Sequence, residues 1–336
     1  MQRKNRAFQK KIYCTIFVVL TSQVCMAEDD NKSVAAAKAA TAAASQLVSD
    51  FSTASFSGVG PFLSYRLGNK GQTKSQSAGD DNSDFTTTSF SITPTVATID
   101  NRIEPMLVDG HVSLVIFGVE SFDEIDLIAK GISLTLDKTA VTSTQRQSTA
   151  ADVSATVTGN GFTIAPYYVM QLESGRLVDF NFGLGKNKLA TKSSGITADV
   201  ASNRAFASVG TSTVDPLGDA SYVQYKASLG YTFDSVPSYI QSDGSQINRS
   251  TTKLLQAKVG ATYTKQLDGI SPFIGLTMAG NSFKASGGSS VKPKEHNATM
   301  LFITGFNFSS EAFYGTLSVQ AERDKTSFLI YTGLRF

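Results

Sequence analysis

The chain closes on Phe328-Leu329-Ile330-Tyr331-Thr332-Gly333-Leu334-Arg335-Phe336, an alternating segment whose last residue is aromatic. Read as a strand, one face carries Phe328, Ile330, Thr332, Leu334 and Phe336, and the other carries Gly333 and Arg335 beside Leu329 and Tyr331. Chain ends usually fray and stay polar, so a nearly unbroken apolar stripe at a terminus needs a partner. A closed membrane barrel supplies one, because its last strand must pair with its first. These five residues, Phe328, Ile330, Thr332, Leu334 and Phe336, are therefore expected to act as an assembly signal.

The opposite end agrees. Arg3, Lys4, Arg6, Lys10 and Lys11 precede the apolar stretch Ile12 to Leu20, and Cys25-Met26-Ala27 offers small residues for cleavage ahead of Glu28-Asp29-Asp30. This reads as a secretory signal peptide over 1–27, too short to span a bilayer. Acylation of Cys25 is disfavoured by Ser22, Gln23 and Val24 before it. Cleavage would remove both Cys14 and Cys25, leaving a mature chain without thiols and so without disulfide, thiolate-metal or cysteine chemistry.

Only 17% of residues are charged, below the roughly 25% of soluble domains, yet no later segment is long and apolar enough for a membrane helix. Strands that alternate lipid-facing apolar residues with small and polar lumen-facing ones produce this balance. Between Tyr222 and Phe233 the apolar face is Val223, Tyr225, Ala227, Leu229, Tyr231 and Phe233. Similar faces are Val178, Phe180, Phe182 and Leu184; Leu255, Ala257, Val259, Ala261 and Tyr263; and Phe313, Leu317, Val319 and Ala321. The expected fold is all-β: a transmembrane, antiparallel, up-and-down barrel of about twelve strands over 55–336. It is preceded by a short Ala-rich helix at 33–52, within a segment 28–54 that serves as a pore plug or linker.

Short links at 121–125, 173–176, 214–219, 267–270 and 309–312 alternate with long polar ones at 139–158, 187–199, 234–251 and 285–297. The barrel rule puts the short links in the periplasm and the long ones outside. Eleven strands follow residue 109, and candidates at 51–67 and 84–100 would make thirteen. Single-chain bacterial barrels are even-numbered, so one candidate before residue 121 is expected to fail.

Gly161-Phe162-Thr163-Ile164-Ala165-Pro166-Tyr167-Tyr168 with Val178-Asp179-Phe180-Asn181-Phe182-Gly183-Leu184-Gly185 resembles the translocator barrel of autotransporters. So do Leu229-Gly230-Tyr231-Thr232-Phe233, Ser271-Pro272-Phe273-Ile274-Gly275-Leu276 and the closing Thr332-Gly333-Leu334-Arg335-Phe336. The likeness spans roughly 84–336 and implies twelve strands, often with a helix in the pore. The chain departs from that family in lacking a long repetitive passenger, and it has no Trp for the aromatic girdle.

Candidate chemistry is sparse. His296 reads as a solvated loop residue. His111, Ser113 and Asp109 share a strand face, the arrangement of a base and nucleophile in a lipid esterase or deacylase, but Leu114 stands where the deacylases place Asn. Glu120, Asp123, Glu124 and Asp126 crowd a turn that water would solvate, and no spacing matches a calcium loop or other metal or phosphate motif. Lys226, Lys258 and Arg335 beside Asp179 and Glu322 give a mixed-charge lumen, suited to internal ion pairs more than to a selective ring. The expectation is therefore an outer-membrane barrel of a Gram-negative bacterium without catalytic, cofactor-binding or metal sites and with a structural, surface-interaction or translocation role. Its partners would be outer-membrane lipid and the barrel assembly machinery, with no nucleic acid, and it would be monomeric. A porin-like channel for small solutes is the alternative. Deleting Phe336 is expected to impair insertion but not export, so cell fractionation should find the truncated chain in the periplasm; normal insertion would make the terminal motif incidental.

Overall fold

The computed structural model describes residues 86–335 except for 104–105, 124–127, 146–152, 219, 288–293, 311–312 and 323–324. The expected signal peptide at 1–27, the segment 28–54 with its expected helix at 33–52, the strand candidate 51–67, Glu124, Asp126 and Phe336 lie outside the described residues.

Twelve strands close into one antiparallel barrel. They are β1 (Thr86–Ile103), β2 (Met106–Asp123), β3 (Ile128–Gln145), β4 (Val153–Gln171), β5 (Leu177–Ser193), β6 (Ile196–Pro216) and β7 (Ser221–Val236), then β10 (Ser250–Lys265), β11 (Ile270–Gly287), β12 (Lys294–Ser309), β13 (Phe313–Glu322) and β14 (Lys325–Arg335). A two-stranded ribbon, β8 (Tyr239–Ile240) with β9 (Gln246–Ile247), interrupts the link between β7 and β10. Closure is made by β1 against β14, with Ser89 opposite Arg335, Phe90 opposite Leu334 and Val96 opposite Phe328. The ring is complete without a strand at 51–67, and the candidate at 84–100 supplies β1.

Registers slide along the strands as the ring is followed. One outward row runs Ile92, Phe117, Leu134, Ile164, Leu184, Ala205, Phe233 and then Lys253 and Lys284. It begins on apolar side chains and ends on lysines, as tilted strands require when a sheet closes on itself. The rim with Thr86 and Arg335 carries only links of three to five residues, whereas the opposite, far rim carries both two-residue links and the long ones, such as the one between β7 and β10; the barrel rule assigns the first rim to the periplasm and the far rim to the outside.

Around the waist the outward side chains are apolar and exposed: Phe90 and Ile92, Phe117 and Val119, Ile132 and Leu134, Phe180 and Phe182, Leu229 and Tyr231, Ile274 and Leu276, Phe328 and Leu334. The faces expected at 222–233, 178–185, 253–264 and 313–322 all take this sense. Those of the closing segment do so from Phe328 to Leu334.

Toward the far rim the structure departs from the expected long loops at 139–158 and 187–199. Here β3 to β6 continue for 18, 19, 17 and 21 residues, and β5 passes into β6 through a two-residue turn at Ser194 (φ 48°) and Gly195 (φ 85°). Two consecutive positive φ angles match the right-handed twist of a hairpin, and glycine takes the second without strain. Along these extensions the polarity of the two faces reverses. Lys186, Lys188 and Lys192 point outward on β5 while Leu189 is buried inside, and Val141, Val157 and Val200 are buried on the inner face of β3, β4 and β6. These extensions rise above the apolar waist, so apolar side chains are not needed on their outer face.

The ribbon β8–β9 is tied to β6 by Ser242 N–H to the Thr197 carbonyl at 2.9 Å and Thr197 N–H to Ser242 Oγ at 2.9 Å. The Ser245 hydroxyl and N–H both donate to Asp243 Oδ1, at 2.7 and 2.9 Å, holding that carboxyl below its ordinary range.

Leu229 is 48% exposed on the lipid face, whereas Gly230 beside it points inward with room for a Cβ. Leu229→Arg should cost roughly 2–4 kcal/mol in unfolding from lipid vesicles and Gly230→Ser much less. Equal losses would mean the faces are exchanged.

Candidate functional site: the barrel lumen

The lumen is lined by side chains that lie along its wall, each crossing a strand made small by glycine. The longest such run joins β3, β5, β6 and β7. Arg204 Nη1 donates to Asp137 Oδ1 at 3.3 Å, and Arg204 Nε stands 3.6 Å from Asp234 Oδ1. All three side chains are at most 3% exposed. With its amide oxygen facing the guanidinium, Asn187 accepts from Arg204 Nη2 at 2.9 Å and from Ser202 Oγ at 3.1 Å. Between Asp137 and Asn187 on the same row stands Gly161. The Asp137 carboxylate and the Asn187 amide fill the space a side chain of Gly161 would need. One cation between two carboxylates is the arrangement that makes a buried charge tolerable, since each anion gains a partner as it loses water.

Nearer the periplasmic rim, Tyr167 on β4 donates to Glu120 Oε2 on β2 at 2.6 Å, its ring lying over Gly131 of β3. Tyr331 donates to the Tyr314 hydroxyl at 3.3 Å, and their rings tilt against each other at 5.7 Å between centroids. Tyr314 lies over Gly333, and Phe206 lies over Gly183, in both cases its partner across the ladder. Phe122, Ala129, Ala165, Tyr167, Val169, Leu177 and Phe206 form a buried cluster on the same inner wall. Asp179 likewise crosses Gly210 toward β7, where its charge attracts Lys226. Glu322 accepts from Thr299 Oγ1 across β12 and β13.

The structure therefore places Lys226, Lys258, Asp179 and Glu322 on lumen-facing positions, as read from the alternation; of Arg335 it gives the backbone pairing with Ser89. It corrects the reading of Glu120, which is buried in the lumen under Tyr167 and is not part of a water-facing turn; Asp123 ends β2 half-buried. His296 stands on β12 opposite Ser282 and is not in a loop. His111, Ser113 and Asp109 share the outward face of β2 toward the far rim, and among the described contacts no hydrogen bond joins them. Among the described residues no three His, Cys, Asp or Glu converge as a metal site. Sequence reading missed Arg204, Asp137 and Asp234 because they come from three strands. The available signal was a charged residue on an inward position of each strand, with Gly161 on β4 leaving room between Asp137 and Asn187.

Removing the cation should be worse than removing the whole group. Arg204→Met leaves two buried carboxylates facing each other and is expected to cost about 3–5 kcal/mol in denaturant unfolding, while Arg204→Met with Asp137→Asn and Asp234→Asn should recover most of it. A single variant no more damaging than the triple one would show that the three charges are not coupled.

No protein-family model matches the chain, and no curated protein matches it in sequence. Solved structures match in fold. The transport unit of the autotransporter AIDA-I from Escherichia coli aligns with a TM-score of 0.55 at 13% identity, covering 82% of this chain and 97% of that one. The translocator domain of autotransporter NalP from Neisseria meningitidis aligns at 0.55 and 12% identity, covering 83% and 98%. The beta domain of the Bordetella autotransporter Brka aligns at 0.51 and 14%, covering 75% and 99%. A closed ring of twelve antiparallel strands, apolar at its waist and knit across its lumen, gives this chain the fold of the autotransporter translocator barrels.

Proposed function

We propose that the protein is an integral outer-membrane barrel of the autotransporter type, exported by a cleaved signal peptide, with a structural, surface-interaction or translocation role and no enzymatic activity. The observation that carries this reading is the closed ring with its exposed apolar waist, a surface that only lipid or detergent can cover. The lumen supports a holding role over selective conduction. Its charges of opposite sign, such as Arg204 between Asp137 and Asp234, neutralise one another locally and leave no ring of one sign to select an ion. In this reading the segment 28–54, which lies outside the described residues, serves as a pore plug or a linker; for the plug, a helix about 10 Å across is close to what twelve strands admit.

The mature protein should fractionate with the outer membrane and migrate differently on a gel before and after boiling; a soluble periplasmic protein with no such shift would end the reading. Single-channel recordings should show little conductance for the mature chain and a clear rise once residues 28–54 are removed. Large, steady conductance of the intact chain would favour a channel for small solutes instead.

A further inference from the structure

Two features meet on the outward face of β5 and β6. The first is charge. Lys138, Asn160 and Lys188 stand side by side on one row of β3, β4 and β5, and Lys186 stands one outward position below Lys188, level with Phe162 and Asn203. All four side chains are exposed, and among the described residues no salt bridge engages the three lysines. They sit immediately above Leu136, Phe162 and Leu184, the last apolar residues of the waist on these strands, so the ammonium groups stand at headgroup height.

The second is shape. The outward residues of β6 below that level are small: Ala205 lies between Leu184 and Phe233, and Ala207 between Phe182 and Tyr231, with Val209 between Phe180 and Leu229. Large side chains on β5 and β7 thus wall a trough floored by alanine. The groove there is about 590 Å³ and is lined by Phe180, Phe182, Ala207, Val209, Leu229 and Tyr231 among others. Above it the outward column of β6 continues by register through Ala205 to Asn203 and Ala201, which stand beside Lys186 and Lys188.

We propose that this face holds one molecule of a phosphorylated, acylated glycolipid of the outer leaflet, with its phosphate on Lys138, Lys186 and Lys188, Asn160 donating beside them, and an acyl chain lying along Ala205 and Ala207. Ammonium groups are point donors suited to phosphate, and an alanine floor between aromatic walls accepts a chain that a uniformly bulky surface would not. The inference rests on outer-membrane residence, which the far rim's outward orientation presupposes, and not on any role in translocation.

The mature protein purified from membranes in detergent can be titrated with fluorescent bisphosphorylated lipid A, with native mass spectrometry counting bound molecules and heat-modifiable migration checking that every variant is folded. That migration shift tests residence and folding separately from the site. Wild type should retain one lipid. Lys186→Ala with Lys188→Ala should weaken binding about thirtyfold, at roughly a factor of five for each cation. Lys253→Ala with Lys284→Ala removes the same charge from the same rim, on β10 and β11 beyond the Phe233 wall of the trough, and should change nothing. Ala207→Leu should weaken binding about tenfold by filling the groove. Equal losses from the two lysine pairs would reduce the effect to general charge attraction and overturn the site. So would an unaffected Ala207→Leu variant, or full competition by inorganic phosphate, which would mean an anion site without the lipid.

Discussion

Inside a bilayer no water is available to satisfy an unpaired backbone amide, so a sheet can cross only if it has no edge. Everything else in this molecule follows from that closure. It is made where β1 meets β14, two strands separated by the whole length of the barrel sequence, with Thr98 Oγ1 donating to the Thr326 carbonyl at 3.2 Å and Thr332 Oγ1 to the Ile92 carbonyl at 3.3 Å. The seam can form only after β14 exists, so its outward face from Phe328 to Leu334 has to match β1 before the barrel is complete.

Closing a ring of twelve strands brings the inward side chains of neighbouring strands together on one concave wall. Several of the long ones lie flat along it. Tyr167 over Gly131, Phe206 over Gly183, Tyr314 over Gly333 and Asp179 over Gly210 repeat one motif, a long side chain on one strand covering the bare backbone of its neighbour. The same flattening lets Arg204 reach from β6 to Asp137 on β3. Glycine weakens a strand taken alone, but here the ladder supplies the order and the missing side chain supplies the space.

The membrane-facing half of this architecture was legible in the sequence because lipid imposes a simple rule: Phe180, Phe182 and Leu184, or Leu229 and Tyr231, must all be apolar, and period two reveals them. The strand positions, the short turns and the failure of one early candidate followed from the same rule. The far extensions were not legible in that way. At Lys186 to Lys192 the alternation continues but its sense is reversed, so a search for outward apolar residues stops at Leu184 and reads a loop. The lumen contacts were hidden for another reason. Glu120 finds Tyr167 across one intervening strand, and Arg204 finds Asp137 across two, and no local pattern encodes such a partner.

The two-residue tip at Ser194 and Gly195 changes what the far rim presents. Strands of 17 and 21 residues turn back on themselves with no slack, while β13 and β14 opposite them span only 10 and 11. At roughly 3.3 Å per residue, the mouth is cut on a slant, high along β5 and β6 and low along β13 and β14. The high side is a laddered blade and not a fringe of tethers. A protease that reached this rim would meet paired backbone that it cannot draw into an extended groove, and a binding protein would meet a surface whose shape survives between encounters.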